Sequence, residues 1–273
     1  MNNTPLEIDL VAHCIEFMSD KSNIAELFKA KGLQFRKSYS YRNLAAVFER
    51  NPQSITVHEV TDFFRSKWNP CDVRRHMEHL TSGMLSGHDW HGAMPSFMHR
   101  YIQDKVRECS EGTLSLEDYL NIGGDILKHE YFMVATHDIC ESSIIESNAD
   151  VIPPIGNKSV TDFIFNGVPY DLKVSTHTPK WREKAGHLTL VEKRQVALEL
   201  YSGADSERLR AMAEGCKHNW GLNRMYYLVS NQDDWLNDPE SVVRYLLDNI
   251  NDSANYFEIN VHGYYIQICL IER

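Results

Sequence analysis

The dipeptide Asn166-Gly167 constrains this chain more than any other feature. Phe163-Ile164-Phe165 precedes it, and Val168-Pro169-Tyr170 follows it, with apolar residues recurring to Val174. Runs rich in β-branched and aromatic residues on both sides of Asn-Gly predict a β-hairpin. A two-residue type I′ turn needs positive φ at both central positions, which Asn and Gly tolerate best. With Asn166 and Gly167 as the loop, Phe165 pairs with Val168, and counting outward sets Asp162 across from Asp171. The two-residue period of a strand then puts Asp162, Asp171 and Lys173 on one face. Phe163, Tyr170, Leu172 and Val174 take the other.

Two carboxylates placed opposite each other repel and weaken a sheet. Their presence together is explained by a hard divalent cation held by oxygens, Mg²⁺ above all. A lysine on the same face can orient or deprotonate a water, or neutralise a phosphate in the transition state. A hairpin with one side in solvent would show the same alternation. On charge repulsion alone, replacing Asp171 by Asn should leave the metal-free protein no less stable.

The rest of the chain divides by pattern. Residues 1 to about 110 read as mostly helical, with Ile8, Val11, Ala12, Ile15 and Met18 on one stripe. From about 155 short strands are predicted at 159–165, 168–175, 224–230, 256–261 and 264–271, with helices at about 187–214 and 240–250. A helical half followed by an α/β half predicts two units. The break falls at Glu111-Gly112-Thr113, giving 1–112 and 113–273. The expected fold class is α+β or α/β, a mixed sheet flanked by helices behind a helical, winged-helix-like region.

With 42% hydrophobic and 24% charged residues among 273, the chain can bury a sizeable core. The net charge of -10 argues against uniform wrapping by nucleic acid, although a field depends on where charges sit. Residues 29–50 carry six basic side chains against one acid, and 173–194 six against two. Residues 231–273 carry two against eight. No stretch approaches the roughly 18 apolar residues of a membrane span, and the opening residues lack the basic flank and apolar run of a signal peptide. Cys14, Cys71, Cys109, Cys140, Cys216 and Cys269 form no CxxC, so reduced thiols and a cytoplasmic location are expected. Gly156-Asn-Lys-Ser lacks the earlier glycine of a P-loop, and neither GxSxG nor GxGxxG occurs.

Asp162, then Asp171-Leu172-Lys173, resembles the D…(D/E)xK signature of the PD-(D/E)xK nucleases. That superfamily includes most type II restriction endonucleases and the archaeal Holliday junction resolvases. The match covers roughly residues 115–230, and Thr161 stands where the signature's proline would be. The resemblance implies that Asp162 and Asp171 bind Mg²⁺ and that Lys173 assists the attacking water. It also implies a glutamate on a preceding helix. Ser115-Leu-Glu-Asp118 reads as a capping box opening a helix whose apolar face runs Leu116, Leu120, Gly123, Leu127 and Val134. Glu130 lies on that face, with Glu141 and Glu146 as rivals. After the hairpin, Lys180, Arg182 and Lys184 are candidate DNA contacts, and Gln195 lies in the early part of a helix expected from about Leu188, where several relatives keep a supporting side chain.

In the first half, residues 55–64, a turn at Lys67–Pro70 and a second helix closed by Gly83 resemble the helix-turn-helix of winged-helix domains, with the wing region reaching about 90. Arg74 and Arg75 would reach base edges or phosphates. A plain helical hairpin with solvated arginines fits the same residues. His76, His79, His88 and His91 cluster near Cys71, without standard zinc-finger spacing. The expected protein is a Mg²⁺-dependent endonuclease acting on double-stranded DNA, a type II restriction enzyme, and a homodimer because two cuts need two active sites. A junction or repair nuclease of the same fold is the alternative. A winged-helix regulator without catalysis is the other.

Overall fold

The computed structural model describes residues 3–70, 104–105, 107–115, 117–118, 121, 138–156, 160–201, 205–230, 234 and 238–273. Among them, five strands form one mixed sheet in the order β1-β2-β3-β5-β4. These are β1 (Phe163–Phe165), β2 (Val168–Thr176), β3 (Arg224–Val229), β4 (Tyr256–Val261) and β5 (Tyr264–Glu272). Pairs β1–β2 and β4–β5 are antiparallel hairpins, while β2–β3 and β3–β5 are parallel. Parallel neighbours need long crossovers, and here these carry helices α6 (Pro179–Arg182), α7 (Leu190–Tyr201) and α8 (Ser206–Ala213), then α9 (Pro239–Asn249).

The hairpin forms as its sequence dictates. Asn166 and Gly167 have φ of 50° and 75°, and Phe165 pairs with Val168. The first strand begins at Phe163, not 159. At Asp162 the ladder breaks: its backbone N–H donates to the Tyr170 carbonyl (2.9 Å), and its side-chain Oδ2 accepts from the Leu172 N–H (2.6 Å). The carboxylate thus stands in for the next rung of backbone pairing.

Strand β3, Arg-Met-Tyr-Tyr-Leu-Val, is buried throughout, as a central parallel strand covered on both sides must be. Edge strand β4 alternates buried and exposed residues. One face of the sheet packs Phe163, Phe165, Tyr170, Leu172, Met225, Tyr227 and Ile271 against helix α5 (Cys140–Ser147) and α9. The other packs Tyr226, Leu228, Ile268 and Leu270 against Val196, Ala197 and Tyr201 of α7.

A helical layer precedes the sheet: α1 (Pro5–Phe17), α2 (Lys21–Ala30), α3 (Tyr41–Glu49) and α4 (Val57–Lys67). The stripe of α1 buries Val11, Ala12 and Ile15, with Met18 following. This core extends to Ile152, Ile164 and Trp220, so the helices pack onto β1 and the approach to β3. Ser19 bridges Ile155 in parallel, and the Ile155 N–H donates to the Met18 carbonyl at 2.8 Å. Among the described residues no helix is long and apolar enough to cross a membrane.

Candidate active site

Asp162 lies just ahead of β1, where the ladder has broken, and Asp171 lies on β2; the two carboxylates are close enough that the charge of Asp162 raises the Asp171 pKa. Lys173 follows two residues on, half exposed, with its Nζ 2.7 Å from Asp171 Oδ1. Asp162 and Lys173 thus both act electrostatically on the Asp171 carboxyl.

The parallel register of β2 and β3 adds a fourth. Arg224 pairs with Asp171, and its Nε lies 3.0 Å from Asp171 Oδ2. The arginine is buried at 8% side-chain exposure. Its Nη1 donates to the carbonyls of Gly221 (3.1 Å) and Asn223 (2.8 Å), which fixes the guanidinium. An arginine opening an otherwise apolar strand was visible in the sequence. Which acid it faces depended on a strand register that no local pattern encodes.

Asp171 is held mostly out of water, and burial raises its carboxyl above the usual range. Arg224 opposes that shift, the Asp162 charge adds to it, and Lys173 opposes it. Tyr226 sits beside Lys173 in register, and Tyr201 lies under the Arg224 guanidinium at 5.8 Å. Burial raises both phenols well above their ordinary value, so they stay neutral. Tyr201 donates its hydroxyl to the Leu222 carbonyl.

One step along the chain from Asp162, Thr161 meets a residue outside the helical stripe read from the sequence. His13 of α1 is buried, and its Nε2 lies 3.0 Å from the Thr161 hydroxyl. Burial lowers its pKa to about 3, so the ring is neutral. His13 gave no signal in the sequence, because its partner is 148 residues away.

The basic segment after the hairpin, which carries α6, is fastened at both ends. The His177 N–H donates to the Val229 carbonyl (3.1 Å), and the Leu188 N–H donates to Glu272 Oε1 (2.9 Å). Within it Lys180 pairs with Glu199 and lies 4.6 Å over the Trp181 ring. Lys184 pairs with Glu192, and Arg182 is exposed. Gln195 donates to Glu199 at 3.1 Å, which directs it into this network.

Other expected residues lie elsewhere. Glu141 and Glu146 are on α5, which packs through Ile144 and Ile145 on the sheet face of Tyr170 and Leu172, away from the acid pair. Glu141 lines a cavity of about 370 Å³ with Lys67, Trp68 and Asn69. Glu130, Arg74, Arg75 and the cluster of His76, His79, His88 and His91 lie outside the described residues, as does the second helix of the winged-helix reading.

As to a metal, the donor chemistry fits a hard cation: two adjacent carboxylates, close enough that the charge of one raises the pKa of the other. Among the described residues no three His, Cys, Asp or Glu side chains group closely enough to hold an ion. Both oxygens of Asp171 are engaged by Lys173 and Arg224, so an entering cation would compete with them. Comparison with known proteins gives no family model that matches the chain, and no curated protein or solved structure that does.

Proposed function

We propose that the protein is a Mg²⁺-dependent DNA endonuclease resembling the PD-(D/E)xK nucleases, and a type II site-specific enzyme acting as a homodimer on duplex DNA. The observation that carries this reading is the hairpin itself. Asp162, just ahead of β1, is close enough to Asp171 of β2 for its charge to raise the Asp171 pKa, and the Lys173 ammonium lies 2.7 Å from Asp171. In this reading Asp162 and Asp171 hold the ion, which supplies Lewis acidity at the phosphodiester and makes a bound water easier to deprotonate. Lys173, half exposed on β2, would take the water's proton as the free amine, or as the ammonium would steady charge developing on the phosphate. Arg224 orients Asp171. Lys180, Arg182 and Lys184 hold the backbone of the duplex. Glu130 completes the ion's ligands, and Arg74 and Arg75 read the duplex.

The test is incubation of a sequenced supercoiled plasmid with the purified protein and Mg²⁺ or Mn²⁺, followed by end mapping. Linear product with ends at one short sequence is expected, and Asp171→Asn should abolish it while DNA binding persists. Cleavage at branched substrates alone would turn the assignment to a junction nuclease. Plasmid left intact with both ions would overturn it.

A second reading rests on the engagement of both Asp171 oxygens. Asp171, Arg224 and Lys173 would then be a structural ion network in a DNA-binding regulator without catalysis. Under that reading Mn²⁺ does not bind, and Asp171→Asn loses stability but no activity.

A further inference from the structure

We propose that His13 is a positioning residue for the acid pair, bracing from helix α1 both Thr161 beside Asp162 and Trp220 in the segment that delivers Arg224 to Asp171. The inference rests on the metal-nuclease reading above and concerns how the helical layer takes part in that site.

The first brace is the contact between His13 Nε2 and the Thr161 hydroxyl, 3.0 Å long and buried on both sides. Thr161 immediately precedes Asp162, whose backbone N–H and carboxylate both bind β2. The second brace is the T-shaped packing of the His13 ring on Trp220, with centroids 5.2 Å apart. From Trp220 the chain passes through Gly221 and Asn223, whose carbonyls hold the Arg224 guanidinium. Asn223 also accepts the Asp171 N–H at 3.3 Å. One ring thus touches both chain segments that lead into the site.

Space filling alone does not account for it. An imidazole in an apolar core loses hydration that a leucine never had. Among the described residues its Nδ1 has no partner. The Thr161 contact is what the ring gains.

The experiment measures Mn²⁺ binding by calorimetry and single-turnover cleavage at saturating enzyme, with chemical denaturation in parallel. The variants are His13→Leu, Thr161→Val and His13→Gln. Supporting groups behind metal ligands contribute about 10–100-fold in affinity or rate, and His13→Leu and Thr161→Val should each lose that much in both readouts. The double variant should lose little more than the worse single one, because both remove the same bond. His13→Gln, which keeps a polar end near Thr161, should recover most of the loss.

A purely structural role would lower stability and leave Mn²⁺ affinity alone. If His13→Leu does not fold, the nearly isosteric Thr161→Val decides. Mn²⁺ affinity unchanged in folded Thr161→Val, with an active wild type, overturns the inference and leaves the nuclease standing. A wild type that neither binds Mn²⁺ nor cuts DNA removes the nuclease reading, and the inference with it.

Discussion

At the residue scale, Arg224 reverses the sequence expectation for Asp171. Like-charge repulsion with Asp162 suggested that Asp171→Asn would be harmless to the metal-free fold. The structure gives Asp171 a buried cationic partner instead. Removing one member of a buried pair strands the other and costs about 3–5 kcal/mol. Asn keeps an acceptor for the guanidinium, so a loss at or below the lower end of that range is expected from urea denaturation. An unchanged midpoint would show that the pair is not a stabilising contact.

Lys173 makes a different forecast, because it is half exposed and its ion-pair partner is Asp171. Lys173→Ala should slow single-turnover cleavage by about 10²–10⁴-fold, the usual contribution of a proton-transfer group. Lys173→Arg should restore little, since a planar guanidinium does not give up its proton. A solvated strand lysine would change stability by no more than about 0.5 kcal/mol and the rate not at all. Single-turnover cleavage by the alanine variant separates the two.

At the element scale, local chemistry accounts for where the helices start. Thr56 opens α4 with a capping box: its Oγ1 accepts from the Glu59 N–H (3.3 Å), and Glu59 accepts from the Thr56 N–H (2.8 Å). Glu59 also pairs with Lys31 at the end of α2. Lys31 first, and the Thr56 N–H second, lower the Glu59 pKa to about 2 from an ordinary value near 4.5. A depressed carboxylate stabilises the fold above its unfolded pKa and loses that contribution as pH falls toward the folded one. The acid limb of wild-type stability should therefore carry a component between about pH 4.5 and pH 2 that is missing in Glu59→Gln. Thr56→Ala should cost about 1 kcal/mol at neutral pH, typical of a lost N-cap. Urea midpoints measured across that range check both.

At the scale of the whole molecule, the helical layer and the sheet meet across close contacts. Gly156, which the sequence reading weighed only as a fragment of a P-loop, lies against the chain between α1 and α2. A Cβ there would stand 2.5 Å from the Ser19 carbonyl carbon and 2.8 Å from the Asp20 nitrogen. Both are backbone atoms, so the neighbour cannot swing aside. Gly156→Ala should destabilise by about 1–3 kcal/mol, the usual cost of overpacking, and calorimetric melting would register it. A second tie is Lys217, whose Nζ lies 2.6 Å from both Asp9 of α1 and Glu49 of α3. These ties hold α1 where His13 meets Thr161, the residue before Asp162, 148 positions along the chain.

Short-range chemistry was legible in the sequence. The two-residue turn and the pairing of Phe165 with Val168 follow from φ preference, and the alternation of Asp171 and Lys173 with Tyr170 and Leu172 along β2 follows from a two-residue period. Each involves residues within about a dozen positions. The strands at 224, 256 and 264 were visible too, as apolar runs bounded by polar residues. Their order and their parallel register were not, because crossover connections leave pairing to the packing of helices over the sheet. Arg224 reached Asp171, and His13 reached Thr161, only through that packing. A charged or polar side chain carries no mark of which distant partner will offset its burial; the tertiary structure decides that, by bringing together groups whose desolvation neither could bear alone.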